Sequence, residues 1–116
     1  MNTIIRTCPK PTAQVEPYVE VLGLDLAVAF LLSFGGSEVY LPRTSGEASE
    51  ITALIGPENT ARLAAISHRL PRRVPLAKPW LAAVLSWRGQ SASRIARTLR
   101  VSDVAVRGWL RSGKRV

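Results

Sequence analysis

The chain has 116 residues, which is enough for one domain, or for a small domain with an appendage, and a modest hydrophobic core. Its formal net charge of +8 and its pI near 11.1 indicate a polyanionic partner. Cys8 is the single cysteine, which excludes an intramolecular disulfide and a thiolate metal cluster and favours a cytoplasmic location.

The charge is divided unequally along the chain. Residues 1–66 contain four Lys or Arg and seven Asp or Glu, whereas residues 67–116 contain twelve Lys or Arg and one acidic residue, Asp103. We therefore expect the second half to bind nucleic acid and the first half to meet protein. The longest apolar run, residues 26–34, is too short to span a bilayer, so we expect no membrane partner.

The first part of the chain predicts a helical domain behind a flexible arm. Residues 1–16 contain prolines at positions 9 and 11 and no sustained period, which is typical of an arm. A short helix is expected after Pro17 and should end at Gly23. A strongly apolar helix then covers residues 24–34, and its apolar surface suits either a dimer interface or a central core.

Residues 37–42 alternate between outward and inward positions, which predicts a short strand. This strand must pair either within the chain or with a second copy of it. Thr44 and Glu47 are spaced as a capping box for a helix that runs to Ile55. Gly56 and Pro57 then separate that helix from another over residues 58–67.

A faint internal repeat relates these stretches at an offset of 33 residues. The matched positions are Leu22-Gly23 with Ile55-Gly56, Phe30 with Leu63, and Leu41-Pro42 with Val74-Pro75. The pattern is helix, glycine, helix and extended segment, used twice. Residues 17–68 are accordingly predicted to form a dimerisation domain, and the basic, proline-rich residues 69–79 a semi-extended linker.

The last third predicts a helix-turn-helix domain over residues 80–112, with a short basic tail at 113–116. Residues 80–87 should form a supporting helix with both of its tryptophans in the core. Ser91 and Ser102 are suited to cap the next two helices, and Gly113 to end the last one. The expected inward-facing residues are Ile95, Ala96, Leu99, Val106, Trp109 and Leu110.

The turn between the last two helices contains Val101 as its apolar residue and Arg100 just before it. Glycine is usual at the position of Arg100, so this arginine must adopt a left-handed backbone conformation or the turn must differ.

The outer face of the last helix is the predicted contact with a DNA major groove. Arginine in that position can bind guanine with two hydrogen bonds, or it can contact phosphate. The residues assigned to this recognition face are Ser102, Asp103, Val104, Arg107, Gly108 and Arg111. The residues assigned to phosphate contacts are Arg69, Arg72, Arg73, Lys78, Arg94, Arg97, Arg100, Lys114 and Arg115.

The order of these features resembles the Mor transcription activator family of phage Mu and related prophages. The similarity covers residues 19–110, and its most particular motif is the stretch from Gly35 to Pro42, GGSEVYLP. The resemblance implies dimerisation through helices and a strand, and a terminal helix-turn-helix that reads one half-site of a promoter element. It also implies that Gly35, Gly36 and Tyr40 adjust the DNA contact, although the acidic Glu38 favours a dimerisation role for this strand.

No catalytic, cofactor or metal constellation is predicted. His68 is the only histidine, and it has no cysteine or acidic neighbour at ligand spacing. The leading hypothesis is a non-enzymatic, homodimeric, sequence-specific transcription regulator, more an activator than a repressor, with host RNA polymerase as a candidate further partner. The alternatives are a DNA-packaging or architectural adaptor similar to a small terminase subunit, and a module that sequesters a host protein.

Overall fold

The computed structural model describes residues 8–39, 41 and 50–114, and this part of the protein is mainly helical, as predicted. The helices are α1 (Glu16–Phe34), α2 (Glu50–Ile55), α3 (Pro57–Ala65), a 3₁₀ helix (Ser67–Arg69), α4 (Lys78–Trp87), α5 (Ala92–Leu99) and α6 (Asp103–Lys114). The chain divides into two compact units. Of the described residues, those between 11 and 77 form the first unit, and residues 8–10 together with 78–114 form the second unit.

Helix α1 is interrupted at Gly23, where the sequence predicts a break. Gly23 has φ 79° and ψ 167°, which lie outside the helical region and are readily adopted only by glycine. On either side of this kink, Tyr18, Leu22, Phe30 and Leu31 are buried in the first unit. The ring of Tyr18 stacks on Phe30 with 5.4 Å between centroids, so the two parts of α1 share one core.

The predicted internal repeat corresponds to a repeated backbone path. Gly56, between α2 and α3, has φ 87° and ψ 157°, close to the angles of Gly23. Leu22 and Ile55 are both buried before their glycines. Phe30 and Leu63, which are matched at the same offset, are both fully buried. The first unit therefore contains two helix–glycine–helix segments of similar conformation, and α1, α2 and α3 pack against one another.

The strand expected at residues 37–42 is reduced to one isolated antiparallel bridge, between Glu38 and Arg73, in the described part of the chain. The Gly36 N–H donates to Val74 O at 2.7 Å, and the Val74 N–H donates to Ser37 O at 2.8 Å. Residues 36–38 therefore pair with a segment of the same chain, which is one of the two expected arrangements, the other being pairing with a second copy. The expected strand residues Tyr40 and Pro42, and the expected capping box of Thr44 and Glu47, lie outside the described residues.

The segments expected to be a flexible arm and a semi-extended linker both contain buried residues, and residues 1–7 of the expected arm lie outside the described residues. In the expected arm, Val15 is fully buried, and the N–H groups of Val15 and Glu16 both donate to Thr12 O. In the expected linker, Val74 is 2% exposed and belongs to the first unit. Apolar side chains among the prolines explain the difference, because they gain stability by burial.

The second unit is built from α4, α5 and α6, each of which contacts the other two. Its core contains the expected Leu81, Val84 and Leu85 of α4, Ile95, Ala96 and Leu99 of α5, and Val106 of α6. Trp80 is also buried, and its Nε1–H donates to Pro9 O at 3.1 Å. This hydrogen bond joins residues 8–10 to the unit, which the sequence pattern does not predict.

Two expectations for this unit are wrong. Trp87 is 37% exposed rather than buried, because it lies in the last turn of α4, beyond the buried Val84 and Leu85. Gly113 does not end the last helix, since α6 continues to Lys114. A glycine near a helix end costs only about 1 kcal/mol relative to alanine, which is too little to stop the helix by itself.

Among the described residues, α1 is the one helix long and apolar enough to cross a membrane by length and composition alone. It has 19 residues and a mean hydropathy of 1.6, and 39% of the tested stretch is buried in the protein. This helix is longer than the apolar run at residues 26–34, because it begins at Glu16 and continues past Gly23.

Candidate nucleic-acid interface

Helices α5 and α6 are joined by a turn, and a serine hydroxyl accepts a hydrogen bond from a backbone N–H group at the start of each helix. The hydroxyl of Ser91 accepts a hydrogen bond from the Arg94 N–H at 3.2 Å, so Ser91 is the N-cap of α5. The hydroxyl of Ser102 accepts one from the Ala105 N–H at 3.1 Å. Both caps agree with the sequence prediction, and each satisfies one of the free N–H groups at a helix start.

Arg100 adopts the left-handed conformation that its position requires. Its φ is 60° and its ψ is 47°, and its N–H donates to Ala96 O at the end of α5. The Val101 N–H donates to the same carbonyl at 3.1 Å. A non-glycine residue in this region is strained by about 1–2 kcal/mol, so the rest of the turn must hold Arg100 there.

The side of α6 opposite the core is exposed and carries the predicted recognition residues. Val106 is fully buried, which fixes the rotation of the helix. Val104, Arg107, Gly108 and Arg111 are spaced as i, i+3, i+4 and i+7, so they share one face of α6. Val104 is 69% exposed, Arg107 and Arg111 are exposed, and Gly108 is half-exposed.

Asp103 and Arg107 form an ion pair on this face. The Arg107 Nη2 atom lies 3.1 Å from Asp103 Oδ2, with both side chains about half exposed. Asp103 is in the first turn of α6, where a negative charge is favoured by the helix dipole. The four-residue spacing of the two residues is the sequence signal for this pair.

Gly108 lies in the middle of α6, where no close contact in the described structure requires a glycine. Apart from the backbone of α6 itself, a Cβ atom added there would meet no atom of the described residues within 4 Å. Glycine inside a helix costs about 0.5–1 kcal/mol relative to alanine. Packing within the part of the chain that the structure describes does not account for that cost.

The basic residues of α5 and the turn extend the positive surface of the second unit. Arg94, Arg97 and Arg100 are exposed, and Ser102 beside them is exposed as well. Lys78, at the start of α4, is half-buried. Lys114 is the last residue of α6, and Arg115 lies outside the described residues. Arg94, Arg97 and Arg100 are therefore positioned on the surface, as a phosphate contact requires.

Three arginines assigned to phosphate contacts in the predicted linker lie beside carboxylates of the first unit. Arg69 is 3.2 Å from Glu20, and Arg72 and Arg73 are 3.8 and 3.7 Å from the two oxygens of Glu38. All of these side chains are about half exposed or more, so each ion pair contributes little to stability. The pairs reduce the positive charge that these arginines offer to a polyanion.

Gly35 and Gly36 have a packing role that the structure explains. A Cβ atom on Gly35 would lie 2.7 Å from Leu31 O and 3.2 Å from Pro75 O, so a side chain there would displace backbone. Gly36 has φ 87°, a conformation that favours glycine. Gly35 is therefore required by the nearby backbone oxygens of Leu31 and Pro75, and Gly36 is favoured by its positive φ. Their expected effect on a DNA contact stays a prediction.

Within the described residues, no group of three His, Cys, Asp or Glu side chains could hold a metal ion. His68 is exposed in the 3₁₀ helix, and Cys8 is exposed with a free thiol. Burial raises the pKa of the Tyr18 phenol in the first unit to about 12.

Searches of protein-family models, curated proteins and solved structures found no match for this chain. The resemblance to the Mor family therefore stays a prediction.

Proposed function

We propose that this protein is a sequence-specific, DNA-binding transcription regulator whose helices α5 and α6 form a helix-turn-helix. The observation that carries the proposal is the outer face of α6, where Val104, Arg107, Gly108 and Arg111 face away from a core fixed by Val106. Helix α6 has 12 residues and is therefore about 18 Å long. An α-helix fits the major groove of B-form DNA, where base edges are distinguishable.

The charge distribution supports the same proposal. Twelve of the sixteen basic residues follow position 66, and Asp103 is the one acidic residue among them. A surface of this kind displaces condensed counterions when it binds DNA, so binding should weaken steeply as salt is added. The exposed Arg94, Arg97 and Arg100 would contact phosphates beside the groove entered by α6.

We further propose that the protein acts as a cytoplasmic homodimer, with the first unit as its dimerisation part. Helix α1 is apolar on most of its surface, and Leu32 on it is 41% exposed. A second copy of the chain would cover that surface. The buried positions of α1 and its kink at Gly23 favour a core and interface helix over a membrane span.

The resemblance to the Mor family adds the proposal that regulation is positive. In this form of the proposal, each α6 would read one half-site of a promoter element, and the two half-sites would be one helical turn or a multiple of it apart. Host RNA polymerase would then be a further partner.

The proposal is tested by selecting bound sequences from a random duplex pool at physiological salt. The oligomeric mass is measured in parallel by light scattering. An enriched inverted repeat of fixed spacing, bound by a dimer, is the expected result. Tight, salt-sensitive binding without enrichment, together with ring-sized assemblies, would instead identify a packaging or architectural adaptor. Absence of DNA binding would leave a protein-interaction module.

Arg107→Ala tests the role of the recognition face. If Arg107 reads guanine, affinity for the selected sequence falls by about 1–3 kcal/mol, and preference at one base position is relaxed. Arg62→Ala is the matched control, because Arg62 is an exposed helical arginine of the first unit. Equal weakening on every sequence, with a smaller salt slope, would make Arg107 a phosphate contact.

A further inference from the structure

Val104 is an exposed apolar residue in the middle of a strongly basic surface. It is the second residue of α6 and is 69% exposed, more than the other large apolar residues of the described chain that reach the surface. Its β-branched side chain is a weaker helix former than alanine. Neither burial nor helix propensity therefore explains a valine here.

Gly108 follows Val104 by one helical turn on the same face. A Cβ at Gly108 would meet no atom of the described residues within 4 Å outside the backbone of α6. No side chain therefore covers the backbone of α6 beside Val104 in this part of the structure. Arg107 and Arg111 flank these two positions. A ligand lying along α6 would therefore approach the backbone closely at Gly108 and meet the methyl groups of Val104.

The neighbouring Arg107 forms an ion pair with a carboxylate on the same face of α6. Asp103, one turn earlier, lies 3.1 Å from the Arg107 guanidinium, and both side chains are about half exposed, so the pair is weak enough for the guanidinium to exchange this carboxylate for a base. A guanidinium is suited to donate two parallel hydrogen bonds to the O6 and N7 atoms of guanine.

We propose that Val104 contacts the 5-methyl group of a thymine in each half-site, beside the guanine bound by Arg107, and that Gly108 allows α6 to enter deeply enough for this contact. The inference rests on the proposed function and specifies the bases that α6 reads. Thymine is the one base whose major-groove edge presents an apolar group, so it is the chemical match for an exposed valine.

The experiment replaces the thymines of the selected half-site by uracil, one at a time. Uracil keeps the base pairing and the O4 acceptor but lacks the methyl group. At one position the affinity of the native protein should fall about fourfold, the equivalent of ~0.8 kcal/mol for one buried methyl group. Val104→Ala should bind the thymine site more weakly, and its difference between thymine and uracil there should be clearly smaller than that of the native protein, because alanine lacks the two Cγ methyl groups of valine.

Leu76→Ala is the matched control, since Leu76 is an apolar residue of the first unit that is 54% exposed. This variant should keep the full thymine-to-uracil difference. Val104→Ala should fold normally, because the side chain is exposed and alanine is the better helix former.

The outcomes separate this inference from the proposed function. If a sequence is selected but the uracil effect is the same in the native protein and in Val104→Ala, the thymine contact is wrong, and sequence-specific binding stands. If uracil has no effect at any position, the contact is equally refuted. If no sequence is selected from the pool, the proposed function fails and the inference fails with it.

Discussion

Replacing Gly108 with alanine should separate the stability of α6 from its proposed contact with DNA. The added methyl group meets no atom within 4 Å in the described residues outside the backbone of α6, so it creates no clash with them. Alanine in place of glycine in the middle of a helix should stabilise the folded protein by about 0.5–1 kcal/mol. The midpoint of thermal unfolding, followed by circular dichroism, should then rise by about 4 °C.

The same substitution should weaken DNA binding if α6 lies close to the base edges at Gly108. A methyl group forced into a close-packed contact typically costs about 1–3 kcal/mol, which corresponds to a loss of affinity of roughly 5- to 150-fold. Affinity is measured by fluorescence anisotropy on the selected sequence. A more stable protein that binds DNA less well is the expected and distinctive result.

Gly89→Ala is the matched control in the same unit. A Cβ at Gly89 also meets nothing within 4 Å, but Gly89 has φ 97°, whereas Gly108 is part of a helix. Alanine at Gly89 should therefore destabilise the protein by about 1 kcal/mol or more. If Gly108→Ala binds DNA with unchanged affinity, α6 does not approach DNA closely at this position. If Gly108→Ala is less stable than the native protein, the view that packing does not require glycine at position 108 is refuted.

The remaining predictions concern stability. Ser91→Ala removes the cap of α5 and should lower the free energy of unfolding by about 1 kcal/mol in urea titrations, whereas Ser93→Ala, at an exposed position inside the same helix, should not lower it. Burial raises the pKa of Tyr18 to about 12 in the folded protein, above its ordinary value of 10.0, so the folded state holds its proton longer and stability should fall as pH rises from 10 to 12. Tyr18→Phe should remove this part of the alkaline destabilisation, and an identical pH dependence in both proteins would contradict the assignment.

The second unit could be predicted from local sequence signals because each of those signals acts over a few residues. Serines at 91 and 102 cap helices by bonding to N–H groups three residues later. The spacing of Ile95, Leu99 and Val106 gives the buried face of the helix pair. The conformation of Arg100 follows from its place after the last turn of α5.

The first unit was predicted less completely because its decisive contacts connect distant residues. The hydrogen bonds of Val74 to Gly36 and Ser37 join segments more than thirty residues apart, and no local period indicates them. These bonds bring an expected linker into a compact unit and leave a single bridge where a strand was expected. The ion pair between Arg69 and Glu20 is non-local in the same way.

The sequence predicts which residues form the outer face of α6, but it does not predict the contacts among them. Asp103 and Arg107 were identified separately, and their ion pair becomes apparent only when four-residue spacing on a helix is considered. The open space beside Gly108 depends on where the other helices lie, and this cannot be derived from the sequence of α6 alone.

The two helix–glycine–helix segments of the first unit have similar backbones but can carry different surface residues. Identical subunits related by symmetry must present the same residues on both sides, so every substitution is made twice. Two similar segments within one chain are free of that constraint. Here the first segment is followed by Gly35 and Gly36, and the second by His68 and Arg69. Two segments of similar backbone conformation are therefore followed by uncharged residues in one case and by His68 and the basic Arg69 in the other. A substitution after one segment leaves the sequence after the other unchanged.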